Sequence, residues 1–265
     1  MDASTRAAVA QELYDAYETR VAVDPLISRY PDMQVQDSYE IQLLQIRARL
    51  NAGRHVVGHK VGLTSLAMQR TLGVNQPDYG HITDDMVFLE HLPIPVDTYI
   101  QPRVEPEIAF VLKRPLKGPG VTASQAIAAV DFILPAIEII DSRIKDWKIG
   151  IFDTIADNAS SGGIALGSTP VDIRDVDLRL SGCNLFRNGE IIATGAGGAV
   201  LGSPITSLVW LANTVGALGV TLEAGNVILP GSQTSMYPVA PGDTFTAQYA
   251  GIGSITTRFT TQGAS

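Results

Sequence analysis

In the run Arg103-Val104-Glu105-Pro106-Glu107, two glutamates stand two residues apart and lead straight into the apolar stretch Ile108 to Leu112. Alternate residues of an extended chain point the same way, so Glu105 and Glu107 would present two carboxylates side by side at the mouth of a strand. Two exposed glutamates on a strand end fit the same pattern, but like charges that close favour a cation between them. Glu138 adds a third acid, set among apolar neighbours from Leu134 to Ile140. A buried carboxylate needs a positive partner. An internal ion pair with Arg143 nearby is one answer, and a shared metal ion is another. Three oxygen donors suit Mg2+ or Mn2+, and with four His and one Cys in the chain zinc is the poorer match. Lys60 lies among small and apolar residues in Val57-Gly58-His59-Lys60-Val61-Gly62, as a strand-end lysine without a role or as a buried one able to exchange a proton. Asp78, in Gln76-Pro77-Asp78-Tyr79-Gly80, reads as an acid at the centre of a turn.

The elements that must carry these residues fall into two parts. Residues 1–55 read as a helical arm or lid, with Val9, Leu13 and Tyr17 on one helix face and Tyr39, Leu43, Ile46 and Leu50 on another. Asp37 and Glu40 suggest a capping box, and Gly53 a stop. Over residues 56–265 short apolar runs alternate with Gly and Pro, the texture of a strand-rich catalytic body. A strand is expected over Ile108 to Leu112, and a helix capped by Thr122 and Gln125 runs on to Val130. An extended run from Phe132 to Ile140 follows, broken at Pro135. Asn188-Gly189 marks a hairpin, and Ser203-Pro204 caps a helix closed by Gly219. Strands are expected over 227–229, 244–249 and 255–259. They outnumber the helices without regular alternation, which favours an α+β class with a mixed, rolled sheet over a doubly wound fold.

Composition narrows the function classes. A net charge of −8 with no basic cluster argues against nucleic acid. One cysteine cannot form an internal disulfide, which fits a reducing compartment. The acidic, amphipathic start does not read as a signal peptide and no apolar run reads as a bilayer span, so a cytoplasmic location without membrane association is expected. The stretch Gly195-Ala196-Gly197-Gly198 invites a nucleotide-binding reading, but Val200 stands where a dinucleotide fingerprint needs its third glycine.

Taken together, Gly58 to Ser65, Gln76 to Gly80, Arg103 to Glu107, Ile139 to Arg143 and Asp153 to Ser161 resemble the vinylpyruvate hydratase and 4-oxalocrotonate decarboxylase family. Gly242 to Phe245 and Gly251 to Ser254 look like the closing strand pair of the wider fumarylacetoacetate hydrolase superfamily. The resemblance spans almost the whole chain. It implies a β-rich roll behind a helical arm, with Mg2+ or Mn2+ held by Glu105, Glu107 and Glu138 and with Lys60 and Asp78 as catalytic residues. His59, Leu63, Ser160, Ser161 and Ser232 are the implied substrate contacts, and Ser203, where several relatives carry His, keeps only a capping role. The implied reaction adds water to a short 2-hydroxy-2,4-dienoate in aromatic catabolism, by a homo-oligomer that can associate with a related decarboxylase or a downstream aldolase. A decarboxylase, or a non-catalytic partner subunit, is the alternative. Decarboxylases of the family usually carry an apolar residue at the position of Asp78 and Leu at that of His59, so both positions favour hydration.

Overall fold

The structure is a computed structural model that describes residues 1–72 and 74–261. The arm contains helices α1 (Ala3–Thr19), α2 (Leu26–Arg29) and α3 (Val35–Asn51). Along the rest of the chain lie β1 (Val56–Gly62), α4 (Leu66–Leu72), β2 (Asp78–Thr83), β3 (Val87–Leu89), β4 (Ile94–Pro95), β5 (Arg103–Leu112), α5 (Ala123–Ala129) and β6 (Val130–Ile140). Then come α6 (Ile151–Ala156), β7 (Ser161–Leu166), β8 (Gly182–Arg187), β9 (Glu190–Ala196), α7 (Pro204–Ala217), β10 (Val227–Leu229), β11 (Tyr237–Pro238), β12 (Thr244–Tyr249) and β13 (Gly253–Thr260).

These strands form two mixed sheets, as the irregular spacing of strands and helices predicts. The larger runs β2-β1-β10-β5-β6-β7-β3 with β11 on β5, and the smaller runs β4-β13-β12-β8-β9. Their inner faces share one core, in which Ile108, Phe110, Ile137 and Ile139 meet Leu185, Phe245, Ile255 and Phe259. The buried Tyr249 hydroxyl also ties the sheets together by donating to the Ala136 carbonyl at 2.9 Å. β6 runs unbroken through Pro135, which lies one residue beyond the last β6–β7 pair, Ala136 with Leu166; its carbonyl still accepts from the Gly167 N–H at 2.9 Å, and at this end of the ladder a missing N–H is tolerated.

By length and composition, residues 197–217 could span a membrane. Only Pro204–Ala217 of that segment is α-helix, about 21 Å long. Its Leu208, Leu211, Ala212 and Val215 are core residues of this fold.

The arm departs from expectation in its second long helix. Asp37 is the third residue of α3 rather than its cap; its carboxylate accepts from the Gln34 N–H at 2.9 Å. The buried stripe carries Ile41, Gln42, Gln45 and Ile46, whereas Leu50 is exposed. Polar residues take this stripe because they meet bare backbone. The Gln42 amide donates to the carbonyls of Tyr79 and Ile155 at 2.9 and 2.8 Å, and Gln45 donates to that of Ala156 at 2.7 Å. Buried carbonyls that lack a partner are costly, so the helix supplies donors where the pattern rule expects hydrocarbon. With Leu26 donating to buried Asp153 at 2.7 Å, the arm is fastened to α6 and β2, the elements behind the acidic cluster.

Candidate active site

The β5–β6 register brings the acids together. Glu105 stands directly opposite Glu138, and Glu107 follows two residues along the same face. One oxygen from each of the three lies within 4.8 Å of the others. Glu107 and Glu138 are buried, and Glu105 keeps part of its surface toward a cavity of about 520 Å³. Burial, then the charge of Glu138, pushes the Glu105 carboxyl up to about 7, and the same two influences raise Glu107 well above the carboxylate range. Glu138 Oε2 has no hydrogen-bond partner among the described residues. Three converging carboxylates, oxygen donors only, fit a hard divalent cation, which would remove the cost of their mutual repulsion.

Lys60 answers the cluster from β1. Its Nζ lies 3.2 Å from Glu138 and donates to the Ala159 carbonyl at 3.0 Å, so Glu138 pairs with Lys60 and not with Arg143. Burial opposes the ammonium charge, but Glu138, Asp78, Glu105 and Glu107 outweigh it and the pKa rises. Asp78 is the first residue of β2 and is buried, not the tip of a turn. Register places it opposite Gly62, two residues on from Lys60. A side chain at 62 would put its Cβ 2.2 Å from Asp78 Oδ1 and 3.5 Å from Lys60 Nζ, so glycine there keeps the space between the carboxylate and the ammonium open. Burial raises the Asp78 pKa against the pull of Lys60 and the Thr154 hydroxyl, and its Oδ1 has no hydrogen-bond partner among the described residues.

The carbonyl that orients Lys60 comes from an unusual loop. Asn158, Ala159 and Ser160 take φ values of 51°, 52° and 54°, three successive left-handed residues that cost about 1–2 kcal/mol each. Buried polar contacts offset this. The Asn158 side chain accepts from the His81 N–H at 2.8 Å and donates to its carbonyl at 2.9 Å. Arg143, 1% exposed, donates to the Asp157 carboxylate and carbonyl and to the Ser161 carbonyl, and lies 4.2 Å over the Tyr17 ring of α1. The arm therefore covers the charge that braces the loop.

The implied substrate contacts divide. Leu63, Ser160 and Ser232 line the cavity, and the buried Ser160 hydroxyl has no protein partner among the described residues. Ser161 is turned inward and donates to the Asn158 carbonyl at 2.7 Å. His59 lies outside the cavity lining, because strand alternation sends it to the opposite face of β1 from Lys60. There its ring sits 5.0 Å from that of His81, and burial, then His81, holds its pKa well below the usual range. Ser203 keeps its capping role, accepting from the Ile205 N–H at 3.3 Å. Sequence reading did not single out Arg103, Thr154, Thr194 or Gln233, all of which line the cavity. Of these only Arg103 had a signal, since it shares the face of Glu105 by alternation. Its guanidinium lies 4.5 Å over the Trp147 ring.

The model for the fumarylacetoacetate (FAA) hydrolase C-terminal region matches residues 58–260. The chain belongs to the fumarylacetoacetate hydrolase family. Within it, this member is 47% identical over 259 residues to a 2-keto-4-pentenoate hydratase of Paraburkholderia xenovorans, covering 98% of this chain and 96% of that protein. It is 40% identical to a 2-oxo-hept-4-ene-1,7-dioate hydratase of Escherichia coli, covering 97% of this chain and 99% of that one. Among solved structures, 4-oxalocrotonate decarboxylase from Pseudomonas putida G7, complexed with magnesium and adipate, superposes with a TM-score of 0.95. The identity there is 36%, and 98% of each chain is covered.

Proposed function

We infer that this chain is a hydro-lyase that adds water to a short 2-hydroxy-2,4-dienoate, giving a 4-hydroxy-2-oxo acid, with a divalent cation as cofactor. The observation that carries this reading is a buried Asp78, with one carboxylate oxygen unpartnered, lining the same cavity as Lys60 beside three clustered glutamates. The names of the similar hydratases support it. A decarboxylase needs no acid to take a proton from water, so Asp78 favours hydration despite the close structural likeness to a decarboxylase.

Glu105, Glu107 and Glu138 would hold the cation, Mg2+ or Mn2+, which supplies Lewis acidity at the substrate's carboxylate and 2-oxygen. Lys60 offsets the surplus negative charge and delivers a proton to carbon 5 as the enol proton is lost. Asp78, its basicity increased by burial, takes a proton from the water that adds at carbon 4, while carbon 3 is protonated. Ser160 offers a free hydroxyl to the substrate.

Protons and the cation compete for the same oxygens. Glu105 titrates at about 7 in the folded protein against an ordinary 4.5, so between those values the folded state binds more protons than the unfolded one. Stability of the chelated protein should therefore fall as pH rises through that window, and the stabilisation added by Mn2+ should grow with pH. Thermal midpoints measured across this range, with chelator and with Mn2+, check both slopes. A Mn2+ effect independent of pH would remove Glu105 from the ligand set.

The substrate is a monoacid with a short tail. From the link between Arg143 and Phe152, only the apolar Trp147 and Ile149 line the cavity, while Lys145 and Lys148 are exposed. Nothing in that link receives a second carboxylate. The test compares kcat/KM for 2-hydroxypenta-2,4-dienoate and a seven-carbon diacid. The five-carbon acid should be preferred by about tenfold or more, and a preference for the diacid would overturn the assignment.

A further inference from the structure

We propose that Gln233 binds the substrate's head, its carboxamide donating a hydrogen bond to the C1 carboxylate. This deepens the proposed function and rests on it for the identity of the substrate.

Gln233 is 4% exposed and lines the cavity, yet neither its Nε2 nor its Oε1 has a hydrogen-bond partner among the described residues. Its neighbours in the loop are all engaged. The Gly231 N–H donates to the Glu107 carboxylate at 2.8 Å. Ser232 Oγ donates to the Pro106 carbonyl and accepts from the Thr234 N–H, both at 3.3 Å. The Gln233 N–H also donates to the Pro106 carbonyl, at 3.3 Å. Ser232, which the family resemblance implies as a carboxylate contact, has its hydroxyl committed to the loop, whereas the amide beside it is free.

The same bonds locate Gln233. Pro106 lies between Glu105 and Glu107, so the loop is pinned at the acidic end of the cavity, where a 2-hydroxy acid would chelate a cation through its carboxylate and 2-oxygen. From behind, a Cβ at residue 195 would come within 2.0 Å of the Gln233 carbonyl oxygen. Glycine at 195 thus lets β9 close onto the loop and fix its backbone, which gives the glycine-rich run a role in shaping the cavity.

A buried amide that binds nothing is costly, and one that binds a ligand is not. The chemistry also selects its type. A lysine or arginine here would be drawn into an ion pair with Glu105 or Glu107. A neutral carboxamide donates to an anion without competing for those acids, and its oxygen remains to accept from the enol hydroxyl on the adjacent carbon.

The experiment uses 2-oxopentanoate, a saturated analogue that cannot be hydrated, as the probe in calorimetric titrations of the Mn2+-loaded protein. Gln233→Leu should weaken its binding by about tenfold to hundredfold, the loss expected for a hydrogen bond to a charged group. KM for the dienoate should rise in parallel with kcat little changed, and Mn2+ affinity should stay at the wild-type value. Gln233→Glu, which sets a carboxylate against a carboxylate, should bind the analogue more weakly still. Thermal stability of the ligand-free Gln233→Leu protein should rise, the reverse of what loss of a structural amide would do. An unchanged analogue affinity in Gln233→Leu, or a fall in Mn2+ affinity as large as the fall for the analogue, would overturn the proposal. Because analogue binding is read without turnover, a wild-type protein that binds it through Gln233 but hydrates no dienoate would sink the hydratase reading and leave this one standing.

Discussion

Lys60→Met is expected to slow ketonisation of the dienol and addition of water together, each by roughly two to four orders of magnitude. Both steps pass through charge that builds up beside three glutamates and an anionic substrate, and Lys60 is the cation 3.2 Å from Glu138. Methionine keeps the length of the side chain and removes the charge. It also strips Glu138 of its ion-pair partner, so the metal-free variant should be less stable, while a bound divalent cation should restore much of the difference. Stopped-flow absorbance of the dienol, with product quantified separately, reads the two steps. Loss of hydration alone would assign Lys60 to the water and not to the shared enolate.

The second large effect separates those steps. Asp78→Asn preserves size but removes the base, and hydration should fall by roughly two to four orders of magnitude, while ketonisation survives better because Lys60 and the glutamates remain. The unsaturated 2-oxo acid should then accumulate. Thr154 and Gly62 lie beside the Asp78 carboxylate, so the asparagine amide fits the same space and the comparison is of chemistry, not of folding. Equal losses of both signals would place Asp78 in the enolate step or in substrate binding.

Much of this arrangement was legible in the chain. Alternation along a strand put Glu105 and Glu107 on one face, and the apolar setting of Glu138 announced a buried acid in need of a partner. What local pattern cannot give is which strands meet. That Glu138 stands opposite Glu105, and that Lys60 reaches Glu138 while Arg143 turns to Asp157, are facts of register and crossover between residues 33, 78 and 14 positions apart. Asp78 read as a turn residue because proline precedes it and glycine follows, and only pairing with Gly62 makes it the buried start of a strand. The polar stripe of α3 was illegible for a similar reason, since Gln42 and Gln45 are buried to satisfy carbonyls contributed from distant segments. Gln233 carried no signal at all. Its placement depends on Pro106 and Gly195, neither of which is near it in the chain.

The central claim is that water is added at carbon 4, and isotopic water tests it most directly. The purified protein, loaded with Mg2+, is given 2-hydroxypenta-2,4-dienoate in 18O-labelled water, and the product is returned to ordinary water so that the carbonyl oxygen exchanges back before mass spectrometry. The account predicts one retained 18O atom in the C4 hydroxyl of 4-hydroxy-2-oxopentanoate, formed one for one with dienol lost and dependent on the divalent cation. Consumption of the dienol with no label at carbon 4, or release of carbon dioxide from an oxalocrotonate-type diacid at a faster rate than any hydration, would contradict it.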